Sequence, residues 1–333
     1  MKVLLTGGAG YIGTHIAVEL IEAGNEVVVV DNFINSNKLA IERVEEIVGA
    51  KIPFYEFDVR DESRLEQVFQ ENEIDAVVHL AGLKAVGESV EKPLMYYKNN
   101  LDSTFSLLNV MKKCDVKKLV FSSSATVYSH PENSPLDESS EVGGDITNPY
   151  GKTKYMIEEI LKDIVASDDS WDVTLLRYFN PVGAHESGLI GESPNDIPNN
   201  LMPFIAKVAV GELDEIKVFG GDYDTQDGTG VRDFIHVVDL AKGHLAALEN
   251  IKNGVTTYNL ATGKGVSVLE LIKTYSKVVG RDLPHEIVDR RAGDVATVFA
   301  SADKARKELG WIAEKTIEDS CASSWSFIQK LHS

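Results

Sequence analysis

An α/β fold, doubly wound around a parallel sheet of Rossmann type and followed by a smaller C-terminal α/β lobe, is what the 333-residue sequence predicts. Three observations predict it. Short apolar runs alternate with longer amphipathic stretches through the first half of the chain. The runs are continuously apolar rather than alternating, as strands covered on both faces are. A glycine-rich loop separates the first run from the first amphipathic stretch, the junction at which such sheets bind ligands.

Taken in order, KVLLTG, EVVVVD, PFYEFD, DAVVHLAG, KKLVFSSS and WDVTLLRYFN read as strands with helices between them. The first helix is carried by YIGTHIAVELIEAG, and two longer helical stretches run roughly from Lys92 to Lys113 and from Pro149 to Ala166. After Asn180 the text NPVGAHESGLIGESPNDIPNN is rich in Gly, Pro, Asn and Ser, the composition of a long loop leading into a second lobe. Helix-like LMPFIAKVAVGE follows, then a loop through GGDYDTQDGTG, strand-like RDFIHV, a helix from Val238 to Glu249, and TYNLATG. The expected division is therefore 1–180 and 181–333, with segments around 233–260 returning to the first domain.

Composition narrows the function. A hydrophobic content of 43% suits a chain with a substantial core. Two cysteines, Cys114 and Cys321, are too few for a disulfide framework or a Cys-rich metal site, so no metal and a reducing cytoplasmic setting are expected. No apolar run reaches signal-peptide or membrane-span length, which points to a soluble chain. The formal net charge of −19 opposes non-specific binding to nucleic acid or anionic membrane, so any phosphate-bearing ligand must be held by local donors.

One such set of donors is the loop TGGAGYIG. Gly7, Gly10 and Gly13 stand in G-x-x-G-x-x-G spacing directly after the first strand and open a helix, where backbone can approach a pyrophosphate and the helix N-terminus supplies partial positive charge. Asp31, 18 residues after Gly13, ends the second strand. An acid there accepts both ribose hydroxyls and repels a 2′-phosphate, so NAD is expected rather than NADP.

A second constellation lies at the end of the fifth strand, where VFSSSATVY carries three consecutive serines, and in NPYGKTKYMIEEIL, where Tyr150 precedes Lys154 by four residues. With 11 tyrosines and 24 lysines, about one Tyr-x-x-x-Lys arises by chance, so the spacing alone proves nothing. Its position gives it weight: Tyr and Lys at i and i+4 share a helix face, and a lysine ammonium beside a phenol favours the phenolate. A serine-nucleophile reading lacks a suitable His partner. His79, inside an apolar strand, reads as a core histidine.

The glycine spacing, with Tyr-x-x-x-Lys roughly 140 residues later, resembles the extended short-chain dehydrogenase/reductase superfamily. Asp58 and Val59 match its adenine-contacting pair, Leu80, Ala81, Gly82 and Lys84 its cofactor-lining loop, and Asn99 and Asn100 its central-helix asparagines. The resemblance further implies cofactor contacts from Tyr11, Ile12, Asn32, Asn35, Ser36, Ser122 and Phe179. It implies Ser124 as the hydroxyl that bonds a sugar hydroxyl, Tyr150 as acid/base, and Lys154 as the residue holding the nicotinamide ribose. Ser124, Ala125 and Thr126 stand where the superfamily's dehydratases carry an acidic triad, so elimination of water is not expected. SSSATVY, RYFNPVGAHESG, NNLMPFI, DGTGVRDFIHVVDLA and RRAGD together resemble the UDP-hexose 4-epimerases, in order from residue 3 to about residue 311.

That likeness implies an NAD-binding domain over 1–180 and a UDP-sugar-binding domain over 181–333. Asn180, Asn200 and Leu201 would contact the UDP-sugar, Phe219 would lie by the uracil, and Arg232, Arg291 and Asp294 would hold diphosphate and ribose. Three of only nine arginines, Arg232, Arg290 and Arg291, fall in these motifs. The implied reaction oxidises sugar carbon 4, turns the bound 4-keto sugar and reduces its other face, in a homodimer paired through the two long helices. Ser129 and Phe234 depart from the commonest text of the family. At the position lining the hexose pocket, tyrosine in many members, this chain has Val298, which leaves room for a 2-acetamido group unless the local alignment is off by one or neighbours refill the space. Epimerisation of another nucleotide sugar, such as a UDP-uronate, or a non-catalytic NAD-sensing role are the alternatives.

Overall fold

The structure, a computed structural model, describes residues 1–193, 198, 200–291 and 293–332. Two compact units are present: one comprises Met1–Ser129, Glu141–Arg177 and Ala241–Tyr258, the other His130–Ser140, Tyr178–Leu240 and Asn259–Ser333.

In the first unit the chain alternates β1 (Lys2–Thr6), α1 (Tyr11–Glu22), β2 (Glu26–Asp31), α2 (Lys38–Val48), β3 (Phe54–Glu56), α3 (Glu62–Asn72), β4 (Ala76–His79), α4 (Val86–Glu91), α5 (Pro93–Lys113), β5 (Lys118–Ser124), α6 (Pro149–Ser167) and β6 (Asp172–Tyr178). Each predicted run of the first half is a strand. The second unit adds β7 (Asn180–Val182), α7 (Leu201–Val210), β8 (Ile216–Phe219), β9 (Val231–Arg232) and β10 (Phe234–His236). Most of α8 (Val237–Glu249) and of β11 (Gly254–Leu260) returns to the first unit, after which β12 (Val266–Ser267), α9 (Val268–Val279), β13 (His285–Val288), β14 (Thr297–Val298), α10 (Asp303–Leu309) and α11 (Ile317–Leu331) follow in the second.

Among the described residues the main sheet has seven strands in the order β11-β6-β5-β4-β1-β2-β3, and β1 to β5 pair in parallel. The order reverses at β1, so the loops after β1 and β4 leave side by side at the carboxyl edge, where an open α/β sheet binds its ligand. The sheet stays flanked because its strands are apolar on both faces: Leu4, Val28, Val77, Leu119 and Leu175 join α-helical Leu65, Leu107, Met111, Ile157 and Leu161 in one buried cluster. Burying each such side chain contributes about 1.5–3 kcal/mol, which outweighs local propensity in fixing this unit.

Residues 130–140 differ from the expected division, since they fall in the second unit. The cause is a short strand-like pairing of Leu136 with Ala300: the Leu136 N–H donates to Phe299 O at 3.0 Å, and its own carbonyl accepts from Ser301 N at 2.8 Å. Among the described residues, no helix is long and apolar enough to cross a membrane.

Candidate active site

The loop after β1 is shaped by close approach. Gly7 has φ +71°, and a Cβ there would lie 2.8 Å from the Ala81 nitrogen in the loop after β4. Gly10 caps α1 without a side-chain hydrogen bond, which leaves the first-turn N–H groups to a ligand. Gly13 packs helix onto loop, with a Cβ there meeting the Gly8 Cα at 2.7 Å. Asp31 ends β2 with one oxygen accepting from Ala9 N at 3.0 Å and the other from Phe33 N and Ser36 Oγ, both at 2.9 Å. Ser36 thus orients the carboxylate that would hold the ribose. Tyr11 and Ile12 begin α1, and Asn32 and Asn35 lie in the loop that follows Asp31. Asn32 Nδ2 donates to Asp58 at 3.1 Å, joining the loops after β2 and β3.

Asp58 is also gripped by Arg60, whose guanidinium holds the carboxyl down at about 2. Val59 packs its side chain into the buried core, which leaves its backbone to face a ligand. In the loop after β4, Asn100 of α5 accepts from Leu83 N at 2.8 Å and donates to Leu83 O at 3.1 Å and Thr153 Oγ1 at 3.0 Å. It holds the loop at Leu83, directly after Leu80, Ala81 and Gly82, while Asn99 donates to it at 3.2 Å and Lys84 is exposed. Gly loop, Asp31 and the loop after β4 together fit a dinucleotide: open donors at a helix end, a fixed ribose acceptor, and no side chain where a pyrophosphate would lie.

At the carboxyl end of β5, the predicted trio is assembled. Asn148 caps α6 by accepting from Gly151 N at 2.8 Å, and Pro149 fills the first helical position. The helix therefore starts where Tyr150 stands beside Ser124 and Lys154 beside Ser122. Lys154 is 6% exposed, and its Nζ donates to Ser122 O at 2.6 Å and Ser122 Oγ at 3.2 Å. Burial pulls its ammonium down to about 7. Tyr150 is half-buried; burial raises its phenol, and a hydrogen bond from Ser124 works against that rise. The direction of this bond follows from Thr126, whose N–H and Oγ1 both donate to Ser124 Oγ, at 3.2 and 2.9 Å. With both lone pairs used, the Ser124 proton is left to point at the phenol oxygen.

The second unit gathers the other predicted group. Asp294 lies 3.0 Å from Arg291 Nε and 3.9 Å from Arg232 Nη2, and the Arg291 guanidinium covers the Phe219 ring at 4.6 Å. Arg232 pairs with Val298 across β9 and β14, and burial lowers its pKa. Arg290 is not part of this cluster: it binds Asp222 at 2.7 Å and stacks on Tyr223 at 4.1 Å, a structural role. Asn180 is exposed at the start of β7; Asn200 caps α7 ahead of Leu201 and donates to Glu192 at 2.6 Å. Phe179 is buried.

Sequence reasoning missed Asp233. It is 0% exposed and accepts from Thr262 N and Oγ1, Gly263 N and Ala300 N at 2.7–3.4 Å. Its backbone bonds Val298 O at 3.1 Å and Asn180 N at 3.0 Å. The signal in the sequence was an acid inside the strand-like RDFIHV, a place where a buried charge needs a reason. Thr126 and Glu158, the latter at i+8 from Tyr150, were missed as well.

Three comparisons place the chain among known proteins. The model of the NAD dependent epimerase/dehydratase family matches residues 3–261. The UDP-glucose 4-epimerase of Bacillus subtilis is 58% identical over 327 residues, covering 98% of this chain and 96% of that one. The crystal structure of UDP-glucose 4-epimerase from Bifidobacterium longum in complex with NAD+ and UDP superposes with TM-score 0.96 at 59% identity, covering 99% of this chain and 98% of that chain. The UDP-Glc/GlcNAc 4-epimerase of Campylobacter jejuni superposes at TM-score 0.85 and 36% identity, covering 99% of both chains. With that match and that identity over nearly its whole length, the chain belongs to the NAD dependent epimerase/dehydratase family.

Proposed function

We propose that the chain catalyses the NAD-dependent 4-epimerisation of UDP-hexoses, interconverting UDP-galactose and UDP-glucose through a bound 4-keto sugar. The observation that carries this reading is the Ser124, Tyr150 and Lys154 set: a phenol placed between a proton-bearing serine and a lysine pulled down to about 7. Relatives named UDP-glucose 4-epimerase, 58% identical in one case, support it.

Bound NAD supplies a hydride acceptor at sugar carbon 4 and the donor that returns the hydride to the opposite face. The chain's own residues move the proton. With substrate bound, Ser124, still fixed by Thr126, turns its one proton from the phenol to the oxygen on carbon 4 and orients that hydroxyl; Tyr150, as phenolate, takes the hydroxyl proton and later gives it back. Lys154, anchored on Ser122, sets the charge beside the phenol. The first unit holds NAD through Gly7, Gly10, Gly13 and Asp31. In the second, Arg232, Arg291 and Asp294 anchor diphosphate and ribose, Phe219 packs on the uracil, and Asn180, Asn200 and Leu201 line the remainder. A tightly held diphosphate and a loosely held hexose let the ketone turn.

Val298 widens the substrate range to UDP-N-acetylglucosamine and UDP-N-acetylgalactosamine. Its carbonyl accepts from the Asp233 N–H at 3.1 Å, and a valine side chain there takes up less space than a tyrosine's. The protein acts as a homodimer in a reducing cytoplasm, which suits its two free cysteines.

The test is nuclear magnetic resonance of the products after incubation with each UDP-sugar, with no oxidant or reductant added. Wild type is expected to interconvert both pairs, and Tyr150→Phe to lose on the order of 10²–10⁴ in kcat. Val298→Tyr is expected to keep the plain hexoses and lose the acetamido pair. Absence of UDP-galactose and UDP-glucose exchange by wild type overturns the assignment.

A further inference from the structure

Three consecutive serines at the end of β5 are each held by a different turn of α6. Ser124 bonds Tyr150, Ser122 is held by Lys154, and Ser123 Oγ donates to Glu158, residues spaced i, i+4 and i+8 along one helix stripe. Glu158 is 0% exposed. Its carboxylate is clamped bidentately by Arg177 of β6, with Nε at 3.0 Å and Nη2 at 2.7 Å, and the guanidinium lies 4.8 Å from the Tyr128 ring centroid. A buried ion pair of this kind is weak evidence for stability, because replacing both partners by apolar side chains is often neutral. Its geometry does something an apolar pair could not do: it ties helix α6 to strands β5 and β6 with directional bonds that fix where along β5 the helix sits.

We infer that Glu158 is a positioning residue for the epimerase reaction, which through Ser123 and Arg177 sets the register of α6 against β5 and so places Tyr150 on Ser124 and Lys154 on Ser122. This rests on the 4-epimerase reading of the site. Without the bond to Ser123, a shift of α6 by a fraction of its 1.5 Å rise per residue would lengthen both contacts at once. Proton transfer is steeply sensitive to such displacement, whereas the ligand contacts from the glycine loop and Asp31 are untouched.

Two variants separate positioning from plain stability. Glu158→Gln keeps the shape and removes the charge; the expected result is a kcat lower by on the order of tenfold, KM changed by less than about twofold, and NAD+ still bound. The apparent pKa of the kcat profile moves up, because Tyr150 loses the serine bond that opposes its rise. In Glu158→Met with Arg177→Met no charge is left unpaired, so the thermal midpoint is expected to return to near wild type while kcat stays low. A double variant with wild-type kcat and pH profile, or a Glu158→Gln variant indistinguishable from wild type, overturns the inference. A second measurement needs no sugar: the ultraviolet titration of Tyr150, taken as the difference between a chain and its Tyr150→Phe counterpart with NAD+ bound. An upward shift on Glu158→Gln supports positioning even if epimerase activity is absent from wild type, and an unchanged titration overturns it.

Discussion

His79 has both ring nitrogens occupied inside the first unit, Nδ1 with Thr6 Oγ1 at 2.7 Å and Nε2 with Thr104 Oγ1 at 3.1 Å. Burial first, and the charge of Lys154 second, push its pKa down to about 3. A base whose folded pKa lies below its unfolded value near 6.5 binds fewer protons folded than unfolded between those limits. Its contribution is therefore complete above pH 6.5 and is lost as pH falls toward 3, at up to about 1.4 kcal/mol per pH unit. Denaturant unfolding followed from pH 7 to 4 should show a shallower loss in His79→Gln than in wild type. Equal slopes would show that the imidazole is not held neutral. Lys154 follows the same sign at higher pH: with its folded value near 7 against 10.5, the cost of burying its ammonium is full below about pH 7 and fades as pH rises. One residue holds its proton off for the sake of the core; the other stands at a pKa useful at neutral pH.

At the scale of elements, the second unit depends on short strands that could not persist alone. Strands β9 and β14 have two residues each, and β10 has three. Asp233 joins them, its carboxylate holding the loop at Thr262 and Gly263 and the backbone of Ala300 while its main chain bonds Val298 and Asn180. Burial raises its pKa and these bonds oppose that rise. Asp233→Asn turns one acceptor into a donor facing other donors, so a loss of about 2–3 kcal/mol in urea unfolding is expected, since an unmet buried polar group costs that order. UDP-sugar KM should rise in the same variant if the strained side chain shifts the Asp233 main chain, which bonds both Val298 and Asn180. A stability loss with unchanged KM would separate Asp233 from the proposed substrate contacts at Val298 and Asn180. Asn100 plays the corresponding part in the first unit, where one side chain fixes both the loop after β4 and, through Thr153, the start of α6.

For the molecule as a whole, α5 and α6 pack on each other in the first unit and leave apolar side chains outside: Leu94 is 83% exposed, Phe105 45% and Met156 40%. Exposed apolar residues scattered singly are ordinary, but these share two adjoining helices, and pairing with a second copy would bury them. The proposed homodimer makes a direct prediction. Sedimentation should give a dimer for wild type and a monomer for Phe105→Glu, with the thermal midpoint little changed by a substitution at a solvent-facing position; a monomeric wild type at micromolar concentration removes the idea. The net charge of −19 works against any close approach of copies at low salt, so the dimer should tighten as ionic strength rises.

The sequence by itself determined the strands, the doubly wound class and which local residues stand as candidates for the chemistry. Continuous apolar runs of strand length, rich in Val and Leu and bounded by turn residues, read as buried strands, and the glycine loop, Asp31, Ser124, Tyr150 and Lys154 sit at positions within their own elements that local pattern defines. Tertiary structure decided what depends on partners far away in the chain. Leu136 pairs with Ala300, which moves residues 130–140 into the second unit; β11 closes one edge of the main sheet. Val59 turns its side chain to the core, and Arg290 binds Asp222 while Arg291 and Arg232 meet Asp294, although RRAGD offers two adjacent arginines as equals. Glu158 is one more acid on an amphipathic helix until Ser123 and Arg177, from two different strands, close around it. Periodicity reports which face of an element is buried; which particular polar group waits on the other side is set only when the elements pack.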